Sequence, residues 1–366
     1  RLNEGYGLNN NAIEKIKQQG CDLMITVDCG ISAINEINYA SSLGIETIIT
    51  DHHEPGNEIP KAFAVIDNKR KDSKYPFREL AGVGVVFKLI QAIGIKLGLK
   101  EEEYLKYLDI VCVGTISDIV PLVDENRVIA KLGLMLIRQT RNIGLKSIID
   151  TSGYTKIDSN SISFGIAPRI NACGRMGKAE DALELFLSKN YNEVSELAKK
   201  LNDYNKLRQD TEKEIYENAI KQIEQKKLDK NNSIIVGGHN WHHGVIGIVS
   251  SKRSIPGFDL HEALTKCLDS IEKFGGHSMA VGLTVKKEKF EEFKKEFEQI
   301  ATNSNVSEIM PIINIDAKID FSAINKDMVE SLKQLEPFGE GNKMPVFVFK
   351  NLKIDSIRAL SEGKHL

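Results

Sequence analysis

TIITDHHEPG, residues 47–56, runs an apolar β-branched segment into an acid and two imidazoles and then into a turn at Pro55 and Gly56. A second run of the same kind, CDLMITVDCG (21–30), precedes it by about a dozen helix-compatible residues, and AFAVID (62–67) follows it. Strand, helix, strand in that order predicts a parallel sheet, because parallel neighbours need a crossover that a helix supplies. In such a sheet the working edge is the carboxyl end of the strands, and both TVDCG and ITDHH place their polar residues there.

Working outward, VGVVFKLIQAIGIKLG (83–98) and YLKYLDIVCVGTIS (104–117) carry apolar residues at helical spacing and are expected to cover the sheet. Residues 178–228 turn charged, and the stretch from Glu193 to Lys227 is free of Gly and Pro, which predicts a long connecting helix at a domain boundary. A strand at SIIVGG (233–238) would open a second, smaller α/β unit containing EKFGGHSMAVGLTV (272–285) and a helix at EKFEEFKKEFEQI (288–300). Segments 308–321 and 344–360 are β-rich. The expected division is therefore 1–177, 178–228, 229–305 and 306–366.

Composition bounds the function. With 366 residues, 41% hydrophobic and 27% charged, the chain can bury cores for two or three domains. Forty-nine basic residues against fifty-one acidic ones give a net charge of −2, which excludes a strongly basic nucleic-acid coat protein, so any polyanion must be met by a local patch. Five scattered cysteines without a C-x-x-C pair indicate neither a disulfide framework nor a zinc knuckle. No apolar run approaches the roughly 18 residues of a membrane span and no signal segment opens the chain, so a cytoplasmic protein is expected.

Adjacent parallel strands lie about 4.8 Å apart, so with these two as neighbours Asp28 and the group Asp51, His52 and His53 would reach a common volume. Asp118, in VGTISDIVPLVDENR (113–127), ends a helical run that Pro121 prevents from continuing. Asp28, His52 and Asp118 are the expected metal ligands. Carboxylate mixed with imidazole suits Mn²⁺ better than Ca²⁺ or a pure Mg²⁺ site, and two ions about 3.5–4 Å apart would serve phosphodiester hydrolysis. Taken singly, an acid at a strand end is a cap or turn residue and adjacent histidines are surface groups; convergence of three segments favours the metal.

TDHHEPG, AGVGVVFKL, GTISDIVPLVDENR, PRINACGRMG, GHNWHHGVIGIVSSK, GFDLHEAL, FGGHSMAVGL and PFGEGNKMP occur in collinear order across almost the whole chain. Together they resemble RecJ-type single-stranded-DNA exonucleases of the DHH phosphoesterase superfamily. That resemblance implies a parallel-sheet DHH domain, a long helix, a smaller α/β DHH-associated domain and the start of an OB-like module. It also implies 5′-to-3′ digestion of single-stranded DNA to 5′-mononucleotides with two Mn²⁺ or Mg²⁺ ions, in repair and recombination, beside a helicase and a single-strand-binding protein. Asp51 and His53 would orient the ligands or contact the scissile phosphate.

For the strand itself, GIAPRINACGRMG (165–177) is read as a loop in which Arg169 and Arg175, around Asn171, grip phosphates. Gly275, Gly276 and His277 resemble the substrate-binding glycine-rich loop of the DHH-associated domain. Trp241 and His242 precede a helix N-terminus that favours an anion, with Trp241 free to stack on a base or to pack internally.

The resemblance also implies an Asp-x-Asp-type pair on an earlier strand, upstream of RLNEGYGLNN (1–10), and extra residues between Lys252 and Ser254. The rival readings are a phosphodiesterase for nanoRNA or cyclic dinucleotides and a non-catalytic DNA-binding relative.

Overall fold

The computed structural model describes residues 7–251, 258–277, 280–304, 312–350, 353 and 355–357. The expected insertion point between Lys252 and Ser254 lies outside them.

The order of elements follows the hydrophobic pattern. Helix α1 (Asn10–Gln18), capped by the Asn9 carboxamide, leads to β1 (Leu23–Val27), α2 (Ile34–Ser42), β2 (Glu46–Asp51) and β3 (Ala64–Asp67). The three strands form one sheet in the order β1-β2-β3, parallel throughout, with Val27 opposite Thr50 and Asp51 opposite Asp67. Ile13, Met24, Ile37, Ala40, Ile45 and Ile49 close one core between sheet and helices. Along β1, Met24 and Thr26 are buried while Leu23, Ile25 and Val27 stand half exposed.

Helix α3 (Gly82–Lys96) is where the apolar periodicity places it. The next run is divided into α4 (Glu102–Leu105) and α5 (Leu108–Ser117). A helical layer follows: α6 (Asp124–Ile137), α7 (Ile143–Ser152), a single turn α8 (Ser159–Ser161) continuing into a π-turn (Ile162–Ile166), and α9 (Ala167–Arg175). The charged stretch holds two helices, α10 (Ala179–Leu187) and the 36-residue α11 (Tyr191–Lys226). Ser188 and Asn190 separate them, because the Asn190 carboxamide caps Asn192 N–H and starts a new helix.

At 1.5 Å per residue α11 is about 54 Å long. Val194, Leu197, Ala198 and Leu201 at its start pack with Cys112, Val113, Ile116, Ile162 and Ile166; Ile215, further along, packs with Val245 and Val249. One rod thus enters two cores.

The second unit comprises α12 (His243–Ser251), α13 (Leu260–Thr265), the antiparallel pair β4 (Lys273–His277) and β5 (Ala280–Thr284), and α14 (Phe290–Asn303). The expected strand at 233–238 is absent: the backbone carries no ladder there, although Ile235 packs toward Leu264 and Cys267. An apolar run favours extended backbone, but a strand also requires a neighbour to pair its N–H and C=O groups. Beyond it, β6 (Ala317–Lys318) pairs in parallel with β7 (Phe347–Val348), with α15 (Lys326–Lys333) between them. Among the described residues no helix is long and apolar enough to cross a membrane.

Candidate metal centre

Parallel pairing of β1 with β2 delivers Asp28 and the Asp51 triplet to one edge. Asp28 N–H donates to Thr50 O at 2.9 Å, and its backbone takes the left-handed conformation (φ 60°). A non-glycine residue there costs about 1–2 kcal/mol and turns the carboxylate inward from the strand end. Helix α5 stops at Ser117, Asp118 forms its C-cap, and Ile119 (φ 60°) reverses the chain before Pro121.

These segments meet at the His52 imidazole. Its Nε2 lies 3.1 Å from Asp28 Oδ1 and 3.4 Å from Asp118 Oδ2. His52 Nε2 and Asp28 Oδ1 are both out of contact with solvent and without a hydrogen-bond partner. Perpendicular ligands on an octahedral ion at about 2.1 Å stand about 3.0 Å apart, so this spacing fits neighbouring ligands of one divalent cation. Asp28, His52 and His53 also offer ligand atoms within 4.8 Å of one another. The carboxylates suit Mn²⁺ or Mg²⁺, and the imidazole among them favours Mn²⁺.

Asp51 plays a different part. Its buried carboxylate accepts from Ile31 N–H (2.9 Å), His52 N–H (2.8 Å), His53 N–H (3.3 Å) and His53 Nδ1 (2.7 Å). Burial alone would raise this carboxyl, but the hydrogen bonds from His53, Ile31 and His52 outweigh it and hold the group below its ordinary value. The same bond to Asp51 raises the His53 imidazole against its own desolvation, helped by the charges of Asp51, Asp28 and Asp118. Asp51 therefore fixes the path of the triplet and the tautomer of His53. Burial raises Asp118, and Asp28 adds to it, while His52 opposes both. Burial and the neighbouring carboxylates likewise keep the Cys29 thiol protonated, which disfavours it as a ligand.

Two residues that sequence reasoning missed shape the centre. Gly82, at the start of α3, has no room for a side chain: a Cβ would lie 2.3 Å from Asp28 Oδ1 and 2.8 Å from Asp28 Cβ. Gly82→Ala is expected to push the Asp28 side chain aside and lower metal affinity by about 10-fold or more, read by Mn²⁺ titration. Unchanged affinity would contradict this packing.

The other is Asp67, opposite Asp51 at the end of β3 and buried. Its position as the last residue of the third parallel strand was the signal that could have found it. Burial, with a contribution from Asp51, pushes its carboxyl up to about 6. A raised folded-state value means the native form binds a proton that the unfolded chain lacks between about pH 4 and 6, so stability falls as pH rises through that window. Asp67→Asn is expected to gain about 2 kcal/mol at pH 7.5 and to flatten stability between pH 4 and 7, measured by urea unfolding in chelator. Parallel pH profiles for the two proteins would refute it.

The residues assigned to substrate are distributed differently from expectation. GIAPRINACGRMG forms part of the π-turn and helix α9 rather than a loop. Arg169 donates from Nε to Asn202 on α11 (3.1 Å) and from Nη1 to Gly165 O (2.7 Å); Arg175 Nη1 donates to Gly244 O on α12 (3.2 Å). The two guanidiniums are thus tied to different helices. Asn171 is exposed.

His242 Nδ1 accepts from Gly244 N–H at 3.1 Å, so it caps α12, and Trp241 packs against the cluster of Ile215, Val245 and Val249. Gly275, Gly276 and His277 lie in strand β4, not in a loop, paired with Gly282, Val281 and Ala280. Paired glycines satisfy each other's backbone groups across a ladder, a pattern that reads locally as a turn.

Comparison with known proteins agrees with this architecture. The DHH family N-terminal domain matches residues 3–115, the DHHA1 domain residues 197–303 and the RecJ OB domain residues 315–366. The chain is 38% identical to the single-stranded-DNA-specific exonuclease RecJ of Bacillus subtilis over 100% of its own length and 49% of that protein. It is similar to the crystal structure of Thermus thermophilus RecJ in complex with Mn²⁺ (TM-score 0.80, 31% identity, 92% of this chain and 53% of that one). It is also similar to a crystal structure of exonuclease RecJ bound to manganese (TM-score 0.70, 33% identity, 82% and 80%). The chain spans about half the length of the Bacillus and Thermus proteins. With its three-strand parallel sheet, its acid and imidazole edge and its collinear identity to these proteins, the chain belongs to the RecJ family of DHH phosphoesterases.

Proposed function

We propose that this protein is a divalent-metal-dependent exonuclease that degrades single-stranded DNA from the 5′ end and releases 5′-mononucleotides. The observation that carries this reading is the meeting of Asp28 Oδ1, His52 Nε2 and Asp118 Oδ2 from three separate segments. The names of the relatives, single-stranded-DNA-specific exonucleases, support the substrate and its strandedness. Two Mn²⁺ or Mg²⁺ ions bound there would supply Lewis-acid stabilisation of the attacking and leaving oxygens.

In this reading Asp28, His52 and Asp118 hold the ions. Asp51 accepts a hydrogen bond from His53 Nδ1–H and orients the ring, and the same bond favours the protonated form, in which Nε2–H would donate to a phosphate oxygen. Arg169, Asn171, Arg175, Trp241, His242, Gly275, Gly276 and His277 belong to the wall that the strand follows. Units 1–177, 178–228, 229–305 and 306–366 divide these tasks among metal binding, connection, substrate binding and an OB-like module. Repair and recombination in the cytoplasm, with a helicase and a single-strand-binding protein, are the setting.

The test is digestion of 5′-labelled and 3′-labelled single strands with Mn²⁺, Mg²⁺ or chelator, beside a matching duplex. Immediate mononucleotide release from the 5′ label alone is expected. Cleavage restricted to dinucleotides would move the protein to the nanoRNA phosphodiesterases, and failure to take up Mn²⁺ would make it a binding scaffold.

A further inference from the structure

Asp118 opens a loop whose hold on the fold comes from far along the chain. From within, buried Asn126 donates Nδ2 to Pro121 O at 3.1 Å. From outside, the segment 334–342 lies on the same loop. Leu122 N–H donates to Glu340 O at 2.7 Å, and Arg127 Nη2 reaches Gln334 O at 3.2 Å and Glu336 O at 3.4 Å. The approach is close enough to require glycine. A Cβ on Gly339 would stand 2.6 Å from Leu122 Cδ1, and one on Gly341 (φ +68°) would stand 3.0 Å from Pro121 Cβ.

The segment is itself pre-formed. Asn342 Nδ2 donates to Leu335 O (2.9 Å) and Pro337 O (2.8 Å), while Gly339 and Asn342 pair through both backbone groups. What it clamps includes an unfavourable conformation. Ile119, β-branched and at φ 60°, is 70% exposed and is not held by its own side chain. Backbone of this kind persists where surrounding structure over-determines it. On one side of Ile119 is the helix carrying Asp118; on the other, three residues on, is the bond from Leu122 to Glu340.

We propose that the 334–342 segment is a positioning clamp for Asp118, so that the cation affinity of the first domain depends on the C-terminal module. This rests on the metal reading of Asp28, His52 and Asp118. When the clamp is loosened, Ile119 relaxes toward ordinary backbone angles and the Asp118 carboxylate loses its aim toward His52.

The experiment is Mn²⁺ titration of the full chain, followed by electron paramagnetic resonance of the free ion, for the wild type, Gly341→Val, Arg127→Ala and Arg127→Lys. Gly341→Val is expected to raise the half-saturating Mn²⁺ concentration about 10-fold. Arg127→Ala should raise it by less, and Arg127→Lys, which keeps a donor for the two carbonyls, should restore most of the loss. Thermal unfolding in chelator is run alongside, since a purely structural contact would lower the midpoint and leave Mn²⁺ affinity where it was; that result overturns the clamp. Should Gly341→Val fail to fold, the Arg127 pair decides alone, and equal affinity in Ala, Lys and wild type overturns the proposal. A wild-type chain that takes up no Mn²⁺ removes the metal reading itself, a separate failure.

Discussion

On the function proposed above, Asp118→Ala is expected to lower Mn²⁺-dependent release of mononucleotides by at least ~10²-fold, beyond the loss typical of an outer-sphere partner, because in that reading it removes a direct ligand. The carboxylate lies 3.4 Å from His52 Nε2, and α5 brings it there from a segment that shares no strand with Asp28 or His52. The same substitution should not destabilise the metal-free protein. Burial and the like charge of Asp28 already raise this carboxyl, so its ionised form opposes folding, an effect that grows as pH rises from the ordinary aspartate range through the raised value and is complete above it. Activity measured against Mn²⁺ concentration, with urea unfolding in chelator at pH 8, checks both halves. A variant that keeps its rate removes Asp118 from the ligand set; one that loses its rate by unfolding shows a structural role instead.

Asp51→Asn should have the largest effect on stability, about 3 kcal/mol. One carboxylate oxygen accepts from Ile31 N–H and the other from His52 N–H and the His53 ring. A carboxamide has one acceptor and one donor end, so in either orientation its NH₂ faces an N–H group in a buried site, an arrangement that costs as much as breaking a buried pair. The pH dependence has a definite sign. A depressed carboxyl contributes stability that is present above its ordinary range and lost on acidification, so the gap between wild type and variant should close below about pH 4. The His53 imidazole should titrate at lower pH in the variant, since the bond to Asp51 is the main cause that raises it. An unfolding midpoint like that of wild type, with an unmoved His53 titration, would refute the assignment.

The outcome at each segment follows from how local its cause is. The alternation of apolar residues with polar strand ends in 21–30 and 47–56 was enough to predict β1 and β2 as strands of a parallel sheet, and their direct pairing in the structure carried Asp28 and His52 to a shared edge. Pro121 marked where the helix before Asp118 had to stop. Glycine misled where its neighbours were distant. Gly275 and Gly276 read as a loop but sit in a ladder opposite Gly282 and Val281. The segment 165–177 read as a loop, yet helix α9 runs through its Gly174 because the backbone hydrogen bonds there are local and already satisfied.

The sequence alone determined the succession of β1, α2, β2 and β3, the edge at which the acids and imidazoles emerge, and the family, because periodicity, turn residues and ordered motifs act over a few neighbouring positions. Only the tertiary structure decided that Gly82 must be bare to admit the Asp28 side chain, that Asp67 is a buried carboxyl, and that residues 334–342 rest on the Asp118 loop. Each of these depends on what a distant segment places within a few ångströms, and packing at that range leaves no periodic trace in the chain.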